Sequence, residues 1–405
     1  MDHSSLSITQ LILKVASRCN LNCSYCYVYN KGDSTWKHRP PLMSDEIFET
    51  TLERARRHCC FTGQKHVNIA FHGGEPCLIG VRQFDAWCGR ARQMLQDVAT
   101  VDLIIQTNGT LVDEAWAEVF SKHNVRVGTS MDGPKELNDV FRVDHKGRGS
   151  FDQVERGLKI LKDAHVPYGI LCVIPLGADP LACHRHFLAL GCTSITYILP
   201  HFTHDTITPI RQRYGATPCA DFLIPIFDDW WFNGTLDVTI GDLRNVARII
   251  MGGDSKIETF GNAPPLYVFV ETDGEMEGLD TLSVCKEGIT RINLNVQDAD
   301  FREILQVDTM HRTAIFRGMP LSQACQACPE RDTCAGGYLP HRYSSARGFD
   351  NPSVWCADLL KLFTHLRDRL GVTVEETYAR RQALQQIALT ACASSEASER
   401  TGAVA

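Results

Sequence analysis

Short apolar or alternating runs recur along the first half of the chain, at Gln10 to Ala16, Val67 to Phe71, Leu103 to Gln106, Val125 to Thr129, Tyr168 to Ile174 and Ser194 to Leu199. These read as strands, and the segments between them carry helical periodicity instead. Ser44 to His58 is typical: Ser44-Asp-Glu-Ile supplies an N-cap, and Ile47, Phe48, Leu52 and Ala55 share one helical face. Strands alternating with amphipathic helices predict a parallel α/β domain. The alternation stops after Pro200, and Thr217 to Gly253 reads as helical, with Trp230 and Trp231 as core or interface rings. The tail from Ala393 to Ala405 is small and polar and is expected to be disordered.

Composition narrows the possibilities. With 405 residues, 44% of them hydrophobic, the chain has enough apolar material for a large core and more than one domain. A net charge of −7 without a basic block argues against a nucleic-acid surface. No run approaches the roughly 20 apolar residues of a membrane span, and the polar start Met1-Asp-His-Ser-Ser is not a signal peptide, so a cytoplasmic protein is expected. In that compartment 17 cysteines point to metal ligation rather than disulfides. Cys59, Cys60, Cys88, Cys172, Cys183 and Cys192 fall in apolar patterns and read as small core residues.

Two groups of cysteines stand apart. Cys19, Cys23 and Cys26 form a C-x3-C-x2-C loop with Tyr25 before the last thiol. Three thiolates leave one iron of a 4Fe-4S cube without a protein ligand, whereas structural zinc is closed by four. Phe71-His-Gly-Gly-Glu-Pro76 ends the second strand-like run. The two together resemble the signature of the radical S-adenosylmethionine (radical SAM) enzymes. In that family the open iron binds the methionine moiety of the cosubstrate, and reductive cleavage yields a 5′-deoxyadenosyl radical that removes a substrate hydrogen. The resemblance implies an incomplete (β/α)6 barrel whose open side admits a large substrate. It also implies cofactor contacts from Tyr25, Gly73, Gly74, Glu75 and Pro76, with Gly73 to Pro76 at the methionine amino group. Asn108 and Ser130 are implied at the ribose and carboxylate, with Asp132 and Arg142 as further candidates. Read from the residues alone, these last four serve equally well as turn or cap residues.

The second group, Cys325, Cys328 and Cys334 in C-x2-C-x5-C spacing with Cys356 further on, supplies four thiols, and the ligand count suits zinc as well as iron. It resembles the SPASM domain of peptide-modifying radical SAM enzymes, which favours iron. The full SPASM pattern holds two auxiliary clusters, but Leu279 and Tyr338 stand here where it has cysteines of the first. One auxiliary 4Fe-4S cluster is therefore expected, and Cys285 is read as structural. Asp280 survives beside Leu279; in full-pattern relatives the matching aspartate is a base, against a turn or cap residue in a charged surface loop.

Cys334-Ala-Gly-Gly-Tyr-Leu-Pro-His-Arg-Tyr343 and Gly348 to Cys356 resemble the maturases that form three-residue cyclophanes in ribosomally made peptides. His341, Arg342 and Tyr343 are candidates for contacts to the cluster or substrate, or for loop packing. The expected organisation is a radical SAM partial barrel over 1–210, a helical bridge over 211–265, a SPASM-like domain over 266–370, and a C-terminal helix and tail over 371–405. The expected activity is β-hydrogen abstraction from a precursor peptide and carbon–carbon crosslinking to an aromatic ring. Implied partners are that peptide and an electron donor such as flavodoxin or ferredoxin. The alternatives are thioether formation, epimerisation or formylglycine formation, or, outside enzymes, an iron-sulfur or zinc scaffold that binds peptides.

Overall fold

All six strand-like runs form strands, within a few residues of their expected ends: β1 Gln10–Ala16, β2 His66–Gly73, β3 Thr100–Thr107, β4 Arg126–Ser130, β5 Tyr168–Val173 and β6 Ser194–Ile198. The structure, a computed structural model, describes residues 7–234, 237–261, 263–315 and 319–387. The polar tail from Ala393 lies outside them. Each of the six strands pairs in parallel with the next, and the intervening helices cover the sheet as a partial barrel. Ile69, Phe71, Ile105, Val127 and Ile170 are buried along it.

The first crossover helix, α1 Asp45–Thr62, starts where its cap predicts, with Ser44 Oγ accepting from the Ile47 amide at 3.2 Å. Ile47, Phe48, Leu52 and Ala55 all face the core. It ends at Gly63 in the left-handed conformation, as helices that finish on glycine do. Cys60 departs from expectation, because it projects from α1 into solvent, although its neighbour Cys59 is buried.

The sheet does not stop at the barrel. β7 Thr239–Ile240 extends one edge beyond β6, while β8 Tyr267–Val270 pairs in parallel with β1 and continues antiparallel into β9 Glu275–Glu277 and β10 Arg291–Asn295. The boundary expected near residue 266 thus falls inside one continuous ten-stranded sheet. A buried charge cluster fastens this join: Lys14 on β1 meets Glu271 at 2.6 Å, and Arg39 meets Glu277 at 2.6 Å and Glu275 at 2.8 Å.

Between β6 and β8 the chain is mainly helical, interrupted by β7. Pro218–Asp228 contains Pro225, which removes one backbone donor from the helix interior, and a π-helical turn, Asp229–Asn233, follows. Trp230 is buried there, with Nε1 donating to the Val238 carbonyl at 2.8 Å. Among the described residues no helix is long and apolar enough to cross a membrane.

Candidate active site

The C-terminal ends of parallel strands gather loops on one side of a sheet, and the loop after β1 is the one that carries Cys19, Cys23 and Cys26. Its path depends on two glycines. The Gly74 amide donates to the Ala16 carbonyl at 2.7 Å and the Glu75 amide to the Arg18 carbonyl at 3.0 Å, so the turn after β2 presses directly on the root of the cysteine loop. A Cβ on Gly73 would overlap the Ala16 carbonyl oxygen, and one on Gly74 would overlap the Tyr29 hydroxyl and the Arg18 carbonyl. Gly73 also has φ = 132°, a backbone region that side chains avoid. The Gly-Gly pair is therefore required by backbone contact between two loops.

Three tyrosines at alternate positions then pin the cysteine loop to three parts of the molecule. The Tyr25 hydroxyl donates to Asp132 at the end of β4. Tyr27 donates to Asp280 at 2.6 Å and Tyr29 to the Ser17 carbonyl at 3.2 Å. Of these, only Tyr25 stood out in the sequence. The alternation Tyr25-Cys-Tyr-Val-Tyr29 is the signal for the other two.

The three thiols are half-buried, interact electrostatically with one another, and line a cavity of about 440 Å³. Burial pushes Cys19 up to about 12 and Cys23 to about 11, and raises Cys26 as well. Thiolates would form here only in the presence of a cationic partner. Gly73, Gly74, Asn108, Ser130, Tyr25 and Arg142 line the same cavity, which brings most of the candidate cosubstrate residues to the thiols. Asn108 Nδ2 donates to Asn20 Oδ1 at 2.8 Å, and Gln106 to Ser130 Oγ at 3.2 Å. Asn20 and Gln106 are further polar groups that the sequence did not single out.

Glu75, Pro76 and Asp132 do not line the cavity. Glu75 is fully buried and spends its carboxylate on the Cys77 amide (3.0 Å), the Thr107 hydroxyl (2.7 Å) and the Asn108 amide (2.7 Å). The last of these bonds ties down the backbone that presents Asn108. Asp132 is likewise turned inward, bonded to Tyr25, to Arg142 at 3.0 Å and to the Val173 amide at 2.9 Å. It holds Tyr25 and Arg142, both of which line the cavity.

Asp280 is buried rather than part of a surface loop, in a narrow cleft with Lys14 and Glu277 behind Tyr27. Burial raises its carboxyl, against the opposing effects of Lys14 and the Tyr27 hydrogen bond. Asp280 does not line the large cavity; Tyr27 lines both spaces.

The second cysteine group lies away from the cavity. Cys325, Cys328, Cys334 and Cys356 act on one another electrostatically, and exposure ranges from the buried Cys325 to the exposed Cys356. Ala335, Gly336 and Gly337 all have positive φ, and they turn the chain sharply after Cys334. A buried ion pair, Arg367 with Glu330 at 2.5 and 2.9 Å, holds the turn from which Cys334 projects, through the bond from its amide to the Glu330 carbonyl. Asp358 caps the helix Pro218–Asp228, accepting from the Cys219 and Ala220 amides, and so anchors the Cys356 end. Among the described residues no three His, Cys, Asp or Glu side chains gather to hold a single ion. Four thiols match the ligand count of tetrahedral zinc and of a cube with one thiolate per corner iron alike.

The loop between Cys334 and Cys356 sends Tyr338 and His341 into the cavity wall. Arg342 instead bonds to the Asn351 and Phe349 carbonyls, and Tyr343 packs on Phe349, so both serve loop packing. Leu279 and Tyr338, which stand where the fuller pattern has cysteines, join Leu282 and Phe349 in an apolar cluster, with Cys285 packed against it.

Comparison with known proteins yields three kinds of match. Residues 13–207 fit the family model described as the radical SAM superfamily. A cysteine-type anaerobic sulfatase-maturating enzyme of Clostridium perfringens is 27% identical over 375 residues, covering 90% of this chain and 97% of that protein. An uncharacterized protein of Methanocaldococcus jannaschii is 32% identical over 210 residues, 51% of this chain and 68% of that one. Among solved structures, native anSMEcpe with bound AdoMet and the Cp18Cys peptide superposes with a TM-score of 0.74 at 25% identity, covering 89% of this chain and 97% of that one.

Proposed function

Because this chain belongs to the radical SAM superfamily, we propose that it oxidises a side chain of a peptide, beginning with abstraction of a β-hydrogen. In this reading Cys19, Cys23 and Cys26 hold a 4Fe-4S cluster with one open iron, and S-adenosylmethionine lies against Gly73, Gly74, Asn108 and Ser130. When bound, that pair supplies a carbon-centred radical able to take a hydrogen atom from the substrate. The cavity carries the proposal, since it brings these groups together with Tyr338 and His341 from the C-terminal half in a space of about 440 Å³, where a peptide side chain fits. The protein's task is to hold the β-carbon still and keep water out. Cys325, Cys328, Cys334 and Cys356 would hold an auxiliary cluster that receives the electron left over after hydrogen abstraction.

Similarity over nearly the full length of a sulfatase-maturating enzyme favours oxidation of cysteine or serine to formylglycine as the product. One observation favours the aromatic crosslink instead: Leu279 and Tyr338, which stand where the fuller pattern has cysteines, pack with Leu282 and Phe349 in an apolar cluster and offer no thiol to a first auxiliary cluster. Mass spectrometry after coexpression with a candidate peptide separates the two. Loss of two hydrogens together with exchange of a cysteine sulfur for oxygen supports formylglycine. Loss of two hydrogens with a fragmentation gap between an aromatic residue and a later one supports the crosslink. An unmodified mass with every peptide, from enzyme that cleaves S-adenosylmethionine, counts against both.

A further inference from the structure

We infer that the paired imidazoles of His201 and His341 take the proton released as the substrate is oxidised. The inference rests on the peptide-oxidising reading above and deepens it. His201 follows β6, and His341 sits in the short turn Leu339–Arg342, yet His201 Nδ1 and His341 Nε2 are 3.1 Å apart and both rings line the large cavity. Tyr27 meets His201 edge-on at 5.8 Å, and Tyr338 lies 5.9 Å from it, so the pair is walled by the cluster loop on one side and the C-terminal loop on the other. His201 Nε2 has no hydrogen-bond partner among the described residues. His341 Nδ1 is buried and also unpartnered, and no carboxylate bonds to either ring.

The chemistry calls for such a group. Loss of a hydrogen atom from a cysteine β-carbon and then of one electron, taken up by a one-electron acceptor of the iron–sulfur class, leaves a sulfur-stabilised cation. That cation becomes a neutral thioaldehyde only when the S–H bond breaks and its proton leaves; the C–S π bond forms from the same electrons, and water later exchanges sulfur for oxygen as hydrogen sulfide. In the crosslinking variant the proton comes from the aromatic ring carbon. Either cation is a strong acid, so a weak base suffices. Burial, with Lys31 adding to it, lowers His201 to about 4, and burial lowers His341 as well, so both are neutral near pH 7 and free to accept. Sharing the proton across the 3.1 Å contact eases the cost of a buried charge.

The competing groups are less suited. Asp280 reaches the cavity only through Tyr27. Asp242 accepts from the Tyr197 amide and Glu258 from the Tyr267 hydroxyl, and burial raises all three carboxyls toward their protonated forms.

The test uses reconstituted holoenzyme and two synthetic peptides deuterated at the β-carbon, one with a single cysteine and one with an aromatic residue two positions before an aliphatic one. His201→Gln and His341→Gln should keep S-adenosylmethionine affinity, cluster EPR spectra and deuterium transfer into 5′-deoxyadenosine. Product per deoxyadenosine should fall about 100-fold, the scale of a lost general base, and added imidazole should restore part of it in His201→Gly. An unchanged ratio in both variants, or the same fall in Glu258→Gln or Asp280→Asn alone, overturns the inference. Nitrogen-15 histidine spectra of the oxidised holoenzyme add a readout independent of substrate. Two neutral, mutually bonded imidazoles at pH 7 are expected, and a charged pair overturns the inference whatever the peptide. Wild-type enzyme that moves deuterium from neither peptide instead refutes the reading of function beneath it.

Discussion

The two cysteine systems are held in opposite ways. The first sits beyond the ends of parallel strands, and its three thiols face the cavity from a loop pinned by Tyr25, Tyr27 and Tyr29 to points far apart in sequence. The second is built locally, from short helical turns, the left-handed turn after Cys334 and the Glu330–Arg367 pair, and none of its four thiols reaches the cavity. A cluster that must meet a cosubstrate and a substrate needs a rigid position relative to the whole barrel. One that only exchanges electrons needs a closed ligand set at a fixed distance. In our reading the three-thiol loop is the first kind and the four-thiol set the second.

The harshest way to break this division is to remove one side of it. Replacing Cys19, Cys23 and Cys26 together with alanine is expected to abolish S-adenosylmethionine cleavage and to lower bound iron from about eight to about four per chain, because the second set keeps its ligands. Iron and sulfide analysis after anaerobic reconstitution checks it, and loss of all iron would show that the two systems are not independent.

The count itself sharpens the comparison. With Leu279 and Tyr338 in the apolar cluster, we expect about eight irons per chain rather than the roughly twelve of a domain with two auxiliary cubes. Cys285 bonds weakly to the Pro340 carbonyl at 3.6 Å and packs on that cluster, so Cys285→Ala should leave the iron content as it was. A loss of a whole cluster in that variant would move Cys285 to the ligands.

A subtler probe separates contact from support within the first system. Glu75 does not line the cavity, yet it accepts from the Asn108 amide, the neighbouring Thr107 hydroxyl and the Cys77 amide. Glu75→Ala should leave cluster absorbance nearly unchanged and weaken S-adenosylmethionine binding about tenfold, the scale of donors left unpaired. Equilibrium dialysis reads this directly, and unaltered affinity would remove the supporting role.

What the sequence made legible follows the same division. Strand positions and the α1 stripe are local patterns, and the structure realises them where they were expected; both thiol spacings are local patterns too. The inward turn of Glu75 and Asp132 was not legible, because either residue type suits a ligand contact or a backbone anchor and only the surrounding donors decide. The pairing of β8 with β1 and the contacts of Tyr27 with Asp280 and of His201 with His341 join residues 140 or more apart. No periodicity carries such information. For the same reason the sequence left Asp280 open between a base and a turn or cap residue in a charged surface loop, since Lys14 and Arg39, which meet the carboxylates of that segment, come from elsewhere in the chain.

The gentlest test asks how dry the first system's cavity is compared with the partly exposed second. Asp242 lines the cavity, and burial raises its carboxyl from 3.8 to about 7. Between those values the folded protein binds a proton that the unfolded chain has released. Stability contributed by this group is therefore fully present below the lower value and lost as pH rises toward about 7. The slope is of the order of 1 kcal/mol per pH unit across that window. Asp242→Asn keeps an oxygen to accept from the Tyr197 amide but removes the titration, so its urea-unfolding free energy should vary less from pH 4.5 to 7, the upper end of the window. If the wild type and the variant share one pH profile, water reaches this carboxyl. The cavity would then not be the sealed space that control of a radical requires.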